Sequence, residues 1–390
     1  MLTGLPIGLL VGIFNMVLGK ANNFRKDHEF LVYLLPVAGL IICYMYLHTK
    51  RNAYSGENLL KSEVQSAAEN IPLYMILVVS IGSLLTTFFG GSAGKEGSAI
   101  AIGGTIADFI SRILKLDKDK QRILVICGVG SAFGVIYDVP FAGAILGMEL
   151  VLKGKFHYQA LIPAFLTSVI SNEISYLVGK EEIVYPQLDL GALNFLLIMK
   201  LILLGLAFGV VGFIFNYILD NSSKVYSKFT KNPYIKALLG GILTIVLFML
   251  LGQNFNGLGT SYIAESFEKS VSIFDWIWKI LFTAIALGSV FQGGRGNPTF
   301  FVGATFASAI APIINLPLKS VTALGMIGVF CSATALPITS IIMALEYFGS
   351  NEVIAIIIVM TMSYVISGIY DIVTKNKINS EKKEIISGEI

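Results

Sequence analysis

The sequence predicts an all-α integral membrane protein built from an internal duplication of broken transmembrane helices. Three observations carry that expectation. The 390 residues are 55% hydrophobic and only 14% charged, with a mean hydropathy of +0.76, whereas soluble domains carry about 25% charged residues. Windows free of Asp, Glu, Lys and Arg recur at the length of a membrane span: Phe30 to Leu47, Leu201 to Leu219, Ala237 to Ala264, Gly296 to Leu318, Ser320 to Leu345 and Val353 to Tyr370. The third observation is a repeated plan. Each half has a Gly-Gly break at the end of an apolar run, followed later by a Pro and a Glu nine residues apart, Pro140 with Glu149 and Pro337 with Glu346. The offset between these pairs is 197 (337 − 140), and between the breaks 203 (294 − 91), a difference no larger than one loop. A duplication of about 200 residues with a pore element in each half is the mark of a transport fold whose site lies between the halves.

Taken in order, Met1 to Leu18 is an apolar span without a basic flank, read as a membrane helix rather than a cleaved signal peptide. A charged turn from Lys20 to Glu29 leads to the second span. Ser55 to Leu60 is polar, and Lys61 to Asn70 is too charged to span and reads as a short surface helix. Pro72 opens the next segment, and Lys115 to Arg122 is a water-exposed loop. Ile123 to Tyr137 and Val139 to Met148 are each too short to cross alone, with Pro140 marking the restart. Residues 1–178 form the first repeat, 179–191 a linker, 192–374 the second repeat and 375–390 a polar tail. Cys43, Cys127 and Cys331 are isolated in apolar surroundings and read as buried thiols, and His28, His48 and His157 share no ligand spacing, so neither metal nor cofactor is expected. The net charge of +3 gives no reason to expect nucleic acid.

The stretch around which the chain is organised runs from Phe88 to Gly104. No charge occurs from Asn70 to Gly94 or from Gly97 to Ala107, yet Lys95 and Glu96 stand between these runs. A charge at the centre of a bilayer costs roughly 2.5–3.5 kcal/mol on insertion scales, so such a pair lines a water-filled or ion-filled cavity. Gly90, Gly91, Gly94 and Gly97 let the chain break, with a new helix expected near Ser98. A helix N-terminus aimed at a pore is an anion site.

These motifs resemble the CLC family of anion channels and anion/proton exchangers. Gly94-Lys95-Glu96-Gly97-Ser98 is similar to the family's G-[KR]-E-G-P element and Gly294-Arg295-Gly296-Asn297-Pro298 to its G-x-F-x-P element, while Gly56-Glu57-Asn58-Leu59-Leu60 falls at its N-terminal G-S-G-I-P element. The likeness extends from Leu2 to Thr374. F-G-G-S-A-G-K-E-G-S-A, N-P-T-F-F-V-G-A and the closing S-G-I-Y look most like the fluoride/proton antiporter branch, where a small polar residue, here Ser98, replaces the motif proline. The resemblance implies two inverted repeats per subunit, a homodimer with one pore per subunit, and a multi-pass protein of the cell membrane that moves a small anion, fluoride or chloride, against a proton. It implies that Glu96 is the gating and proton-carrying glutamate, that Tyr370 faces the anion, and that amides around Gly94, Lys95, Gly97, Arg295 and Gly296 bind it. The internal proton glutamate of chloride exchangers falls at Leu150, a carboxylate the fluoride branch also lacks. The chain departs from that branch at Glu57, Arg295 and Asn297, where its members usually carry Met or Asn, Glu, and Thr.

Each assignment has a plainer counterpart on sequence alone. Glu96 also fits a helix N-terminal carboxylate stabilised by free amides, and Tyr370 an interfacial tyrosine. Glu149 and Glu346 read as helix-end carboxylates or as proton-path residues. Phe300 and Phe301 either offer electropositive ring edges to an anion or simply pack. Glu57 and Arg295 either pair across the pore or face solvent. The function expected is halide passage, with fluoride/proton antiport first and a chloride channel or exchanger second. An intramembrane enzyme using Lys95 and Glu96 as an acid/base pair is the reading from another class, and no nucleophile or cofactor loop accompanies it.

Overall fold

Glycine, proline and charge set where the helices start and stop. The computed structural model describes residues 3–49, 71–151 and 158–387, the side chains of Val151 and of residues 371–387 aside. Among the described residues there are fifteen α-helices and no strand. In chain order these are α1 (Gly4–Asp27), α2 (Leu35–Leu47), α3 (Tyr74–Phe88), α4 (Glu96–Ile113), α5 (Lys118–Tyr137), α6 (Pro140–Val151) and α7 (Leu161–Leu177). After an irregular segment come α8 (Phe195–Phe229), α9 (Pro233–Leu251), α10 (Thr260–Glu268), α11 (Asp275–Gly288), α12 (Gly296–Ile314), α13 (Leu318–Thr334), α14 (Pro337–Phe348) and α15 (Val353–Ser387). Pro140, Pro233 and Pro337 each take the first helical position, where the missing N–H costs nothing. Asp117 and Asn194 are side-chain N-caps for α5 and α8. Among the described residues, eight segments are long and apolar enough to cross a membrane, whereas α3, α6, α13 and α14 are shorter apolar helices. The protein is an integral membrane protein of broken helices.

Several boundaries differ from the sequence expectation. α1 continues through the charged stretch to Asp27, because Arg25 and Lys26 sit in its last turn, where cations suit the helix dipole. The charge-free run from Ser320 to Leu345 is two helices, since Ala335 adopts a left-handed φ of 56° just before Pro337. The run from Ala237 to Ala264 breaks at Gly252, with φ 80°. α4 starts at Glu96, two residues ahead of Ser98, and α15 carries the polar tail onward as helix to Ser387. The surface helix expected over Lys61 to Asn70, and the Ser55 to Leu60 motif with Glu57 and Asn58, lie outside the described residues. Cys127 and Cys331 are buried free thiols, and Cys43 is buried as well.

The second half reproduces the packing of the first at a nearly constant offset. In α1, Gly4 and Gly8 lie against Ile170 and Ile174 of α7, and in α8, Gly205 and Gly209 lie against Met362 and Ile366 of α15. Gly103 of α4 and Gly128 of α5 each approach the other's carbonyl, as do Gly303 of α12 and Gly325 of α13. α5 and α13 both end in a left-handed residue, Asp138 (φ 60°) and Ala335 (φ 56°). Two contacts tie the halves reciprocally. The Glu346 carboxylate at the end of α14 accepts from the Phe141 and Ala142 amides at the start of α6 (2.9 and 2.7 Å). The Glu149 carboxylate at the end of α6 accepts from Ile338 and Thr339 at the start of α14 (3.2 and 2.9 Å). Each supplies a carboxylate to free N-terminal amides. On the axis, Gly94 and Gly294 form an antiparallel pair, N–H to O at 2.7 and 2.8 Å in the two directions. The architecture is an inverted two-fold repeat, and the Gly94–Gly294 pair marks its centre.

Candidate functional site

The centre of the repeat is where α4 and α12 begin. Their N-caps, Lys95 (φ −103°, ψ −15°) and Arg295 (φ −102°, ψ −14°), have the same backbone conformation, so two helix N-termini converge beside the glycine pair. Free amides and the positive ends of two helix dipoles then meet in one place. What fills it is the Glu96 side chain, itself 8% exposed. Glu96 Oε1 accepts from the Gly296 N–H, and the amides of Glu96 and Asn297 also point at the carboxylate. Glu96 Oε2 accepts from the Tyr137 hydroxyl at 2.8 Å. A Cβ at Gly294 would fall on Glu96 Oε1 and one at Gly94 would collide with Oε2, so only glycine at both positions lets the carboxylate fold back onto the axis.

Tyr137 was not evident from the sequence. It ends α5, and the left-handed turn at Asp138 stops the helix with the phenol aimed at the site. Its ring packs against Phe133 (4.9 Å) and edge-on against Phe300 (5.0 Å, 70°), its carbonyl accepts from Tyr347 Oη at 2.5 Å, and its hydroxyl also lies 3.1 Å from Asn297 Oδ1. The only sequence signal was a Tyr-Asp-Val-Pro break between two short helices.

A cavity of about 760 Å³ leads away from Glu96, and its wall includes Gly97, Leu150, Arg295, Gly296, Tyr370 and Asp220. The side chain at Leu150 is thus an apolar part of this wall. Arg295 does not depend on Glu57 for a partner: its guanidinium donates to Asp220 Oδ1 at 2.7 Å and lies 3.5 Å from Asn216 Oδ1. The Tyr370 hydroxyl donates to the other oxygen of Asp220, which places it on the cavity wall with its hydroxyl turned toward α8 rather than toward Glu96. Asp220 is the second residue the sequence did not single out. It lies just past the charge-free run ending at Leu219, where a helix-end acid is unremarkable.

The remaining expected residues separate into two groups. Lys95 donates to Asn15 Oδ1 on α1 at 2.9 Å and stands 5.7 Å from the centre of the Tyr137 ring. Ser98 hydrogen-bonds Ser83 of α3 at 2.7 Å, fixing the first turn of α4. Phe300 touches the site through Tyr137, but Phe301, about 100° further round the helix, stacks on Tyr262 (5.4 Å, 12°) and carries Lys279 over its face at 5.0 Å. Glu149 and Glu346 are occupied as helix caps. Among the described residues no group of His, Cys, Asp and Glu is disposed to hold a metal.

A helical inverted repeat with a carboxylate held between two facing helix ends agrees with what comparison with known proteins finds. The profile of the voltage gated chloride channel matches residues 38–368. The chain belongs to the CLC family. This CLC protein is 29% identical over 374 residues to a chloride/fluoride channel protein of Pseudomonas syringae pv. tomato, covering 94% of this chain and 83% of that one. It is 25% identical over 405 residues to a H(+)/Cl(-) exchange transporter of Vibrio cholerae, covering 94% and 84%. Among solved structures it is similar to a CLC-type fluoride/proton antiporter, with a TM-score of 0.91, 31% identity and coverage of 95% and 94%. A slow cyanobacterial Cl-/H+ antiporter shares the fold at a TM-score of 0.82 and 19% identity.

Proposed function

We propose that this CLC protein exports fluoride in exchange for protons, with Glu96 as both gate and proton carrier. The observation that carries the reading is the position of the carboxylate. It accepts from helix N-terminal amides, donors a small anion would use, so carboxylate and anion compete for one place, while the Tyr137 hydroxyl is an added hold on the carboxylate alone. Proton loading removes the negative charge and with it most of the attraction to these donors, so the neutral side chain leaves and the anion enters. Deprotonation reverses the exchange. One group therefore links the two fluxes. Fluoride as the cargo is supported by the similarity to the fluoride/proton antiporter and the chloride/fluoride channel protein, and by the absence of a carboxylate at Leu150. In the same reading, residues 1–178 and 192–374 are the two repeats, 179–191 the linker between them, and the protein works as a homodimer in the cell membrane. Chloride transport is the second reading, favoured by Arg295, whose permanent charge on the cavity wall makes the approach more permissive to anions. Fluoride and chloride efflux from liposomes, measured in parallel with proton uptake, tests both. Fluoride efflux coupled to proton entry supports the first, chloride flux as fast as or faster than fluoride flux, whether coupled to protons or not, supports the second, and no flux of either refutes the assignment.

A further inference from the structure

Beside Gly90 of the glycine break, and outside the lining of the cavity, lies a second buried polar cluster, which the central mechanism does not use. It is made by Arg25 and Asn22 at the end of α1, Asn256 in the loop between α9 and α10, and Lys279 in α11. All four are 2% exposed or less. Neither cation takes part in an ion pair among the described residues. Glu29 is the acidic group that faces Arg25, at longer range. Lys279 donates to the carbonyls of Phe255 and Gly257, both at 2.9 Å, which leaves its charge uncancelled. Arg25 Nε and both amide atoms of Asn256 are buried with no hydrogen-bond partner. An orphaned guanidinium N–H and an orphaned amide, one donor group and one acceptor, beside two cations cost stability unless something answers them.

The cluster is framed by three left-handed glycines. A Cβ at Gly90 (φ 86°) would lie 3.3 Å from Asn256 Nδ2 and 3.5 Å from Arg25 Cδ, and one at Gly257 (φ 58°) 3.4 Å from Arg25 Nε. A Cβ at Gly259 (φ 72°) would lie 3.4 Å from Lys279 Nζ. The backbone around the cluster is held loosely, with Gly257 N to Gly90 O and Leu258 N to Asn22 Oδ1 both at 3.4 Å. A polar line also connects it to the centre. Thr283, one turn on from Lys279, bonds Ser92 at 2.9 Å, two residues before Gly94.

We propose that Arg25, Lys279 and Asn256 bind a small anion at a second site, outside the Glu96 centre and outside the Asp220 vestibule. The occupant is the transported halide, so the proposal rests on the central reading, and the line through Thr283 and Ser92 is its way to the glycine break. Asn256→Asp is the discriminating variant, because it keeps the side-chain volume and supplies a carboxylate that occupies the site itself. Like charges brought together cost several kcal/mol, so the halide concentration for half-maximal flux should rise about tenfold or more. Stoichiometry separates the two sites. The full chain carrying Glu96→Gln, titrated calorimetrically with sodium fluoride and with sodium chloride, should bind two anions per subunit, and one after Asn256→Asp is added. A single anion insensitive to position 256, with an ordinary half-saturation in the Asn256→Asp protein, means that only water answers these donors and overturns the proposal while the central site stands. A single anion abolished by Asn256→Asp upholds the proposal and removes the central site instead. Asn256→Leu, which fills the place without charge, gives the same loss of one anion if the site is real, and guards against a misfolded aspartate variant.

Discussion

Replacing Tyr137 by Phe removes one oxygen from the site and leaves the ring against Phe133 and Phe300. The hydroxyl donates to a buried carboxylate at 2.8 Å, and a hydrogen bond to a charged group is worth about 1.5–3 kcal/mol. That energy holds the carboxylate in the anion's place, so its loss shifts the balance between docked carboxylate and bound anion by roughly 10- to 150-fold, at tenfold per 1.4 kcal/mol. The half-saturating halide concentration should fall by at least about tenfold, and protons carried per halide should drop because the anion enters before the carboxylate is neutralised. The change also strands Asn297 Oδ1, 3.1 Å from the hydroxyl, so a loss of stability of about 1 kcal/mol is expected. Efflux from liposomes across a halide series, with a melting curve on the same preparation, reads both. An unchanged half-saturation in a folded variant would mean that the Tyr137 bond does not hold the gate, and the competition argument would fail.

Three further changes probe the same geometry. Glu96→Gln should abolish proton coupling, because an amide carries no proton, leaving halide flux either stopped or independent of pH; proton-coupled flux at wild-type rates would exclude Glu96. Gly294→Ala puts a methyl where Glu96 Oε1 lies, so the carboxylate is held off the axis and flux should lose its pH dependence in a protein that still melts cooperatively. Asp220→Asn leaves Arg295 uncancelled on the cavity wall. The pair is nearly half exposed (46% and 43%), so stability should change by less than about 1 kcal/mol, while halide entry from that side should speed up at low salt and not at high salt. Equal rates at both salt concentrations would show that the ion does not pass Arg295.

What could be read from the sequence was local. A break needs Gly or Pro where it occurs, so the starts at Pro140, Pro337 and the two Gly-Gly stops were legible, as were Lys95 and Glu96, whose charge is conspicuous in an apolar run. Partners were not legible, because they are set by packing between distant segments. Tyr137 is 41 positions from Glu96, and Asp220 is 75 from Arg295. For Arg295 the sequence offered Glu57, which lies outside the described residues, and gave no sign of Asp220. Phe300 and Phe301 could not be told apart either, since adjacency in sequence says nothing about which face of α12 meets Tyr137 and which meets Lys279.

The duplication bears on why the proposed exchange needs one carboxylate. Lys95 and Arg295 occupy equivalent places, 200 residues apart, and each reaches an asparagine at the equivalent place on its own repeat's long helix, Asn15 on α1 and Asn216 on α8. The two halves therefore present the same basic cap and the same free amides to the axis. Symmetry fails at the next residue, where Glu96 faces Gly296. A second carboxylate at position 296 would set two like charges in one dry site, and one of them would have to stay protonated. With glycine there, the side chain of the first repeat fills the helix end of the second, so donors from both halves act on a single titrating group. Asp220 is the other break in symmetry, because its equivalent on α1, 201 positions earlier, is Gly19, which has no side chain and where an added Cβ would meet nothing within 4 Å. Among the described residues Arg295 is thereby paired with an acid while Lys95 bonds an asparagine, so the two equivalent helix ends differ in the partner of their basic cap.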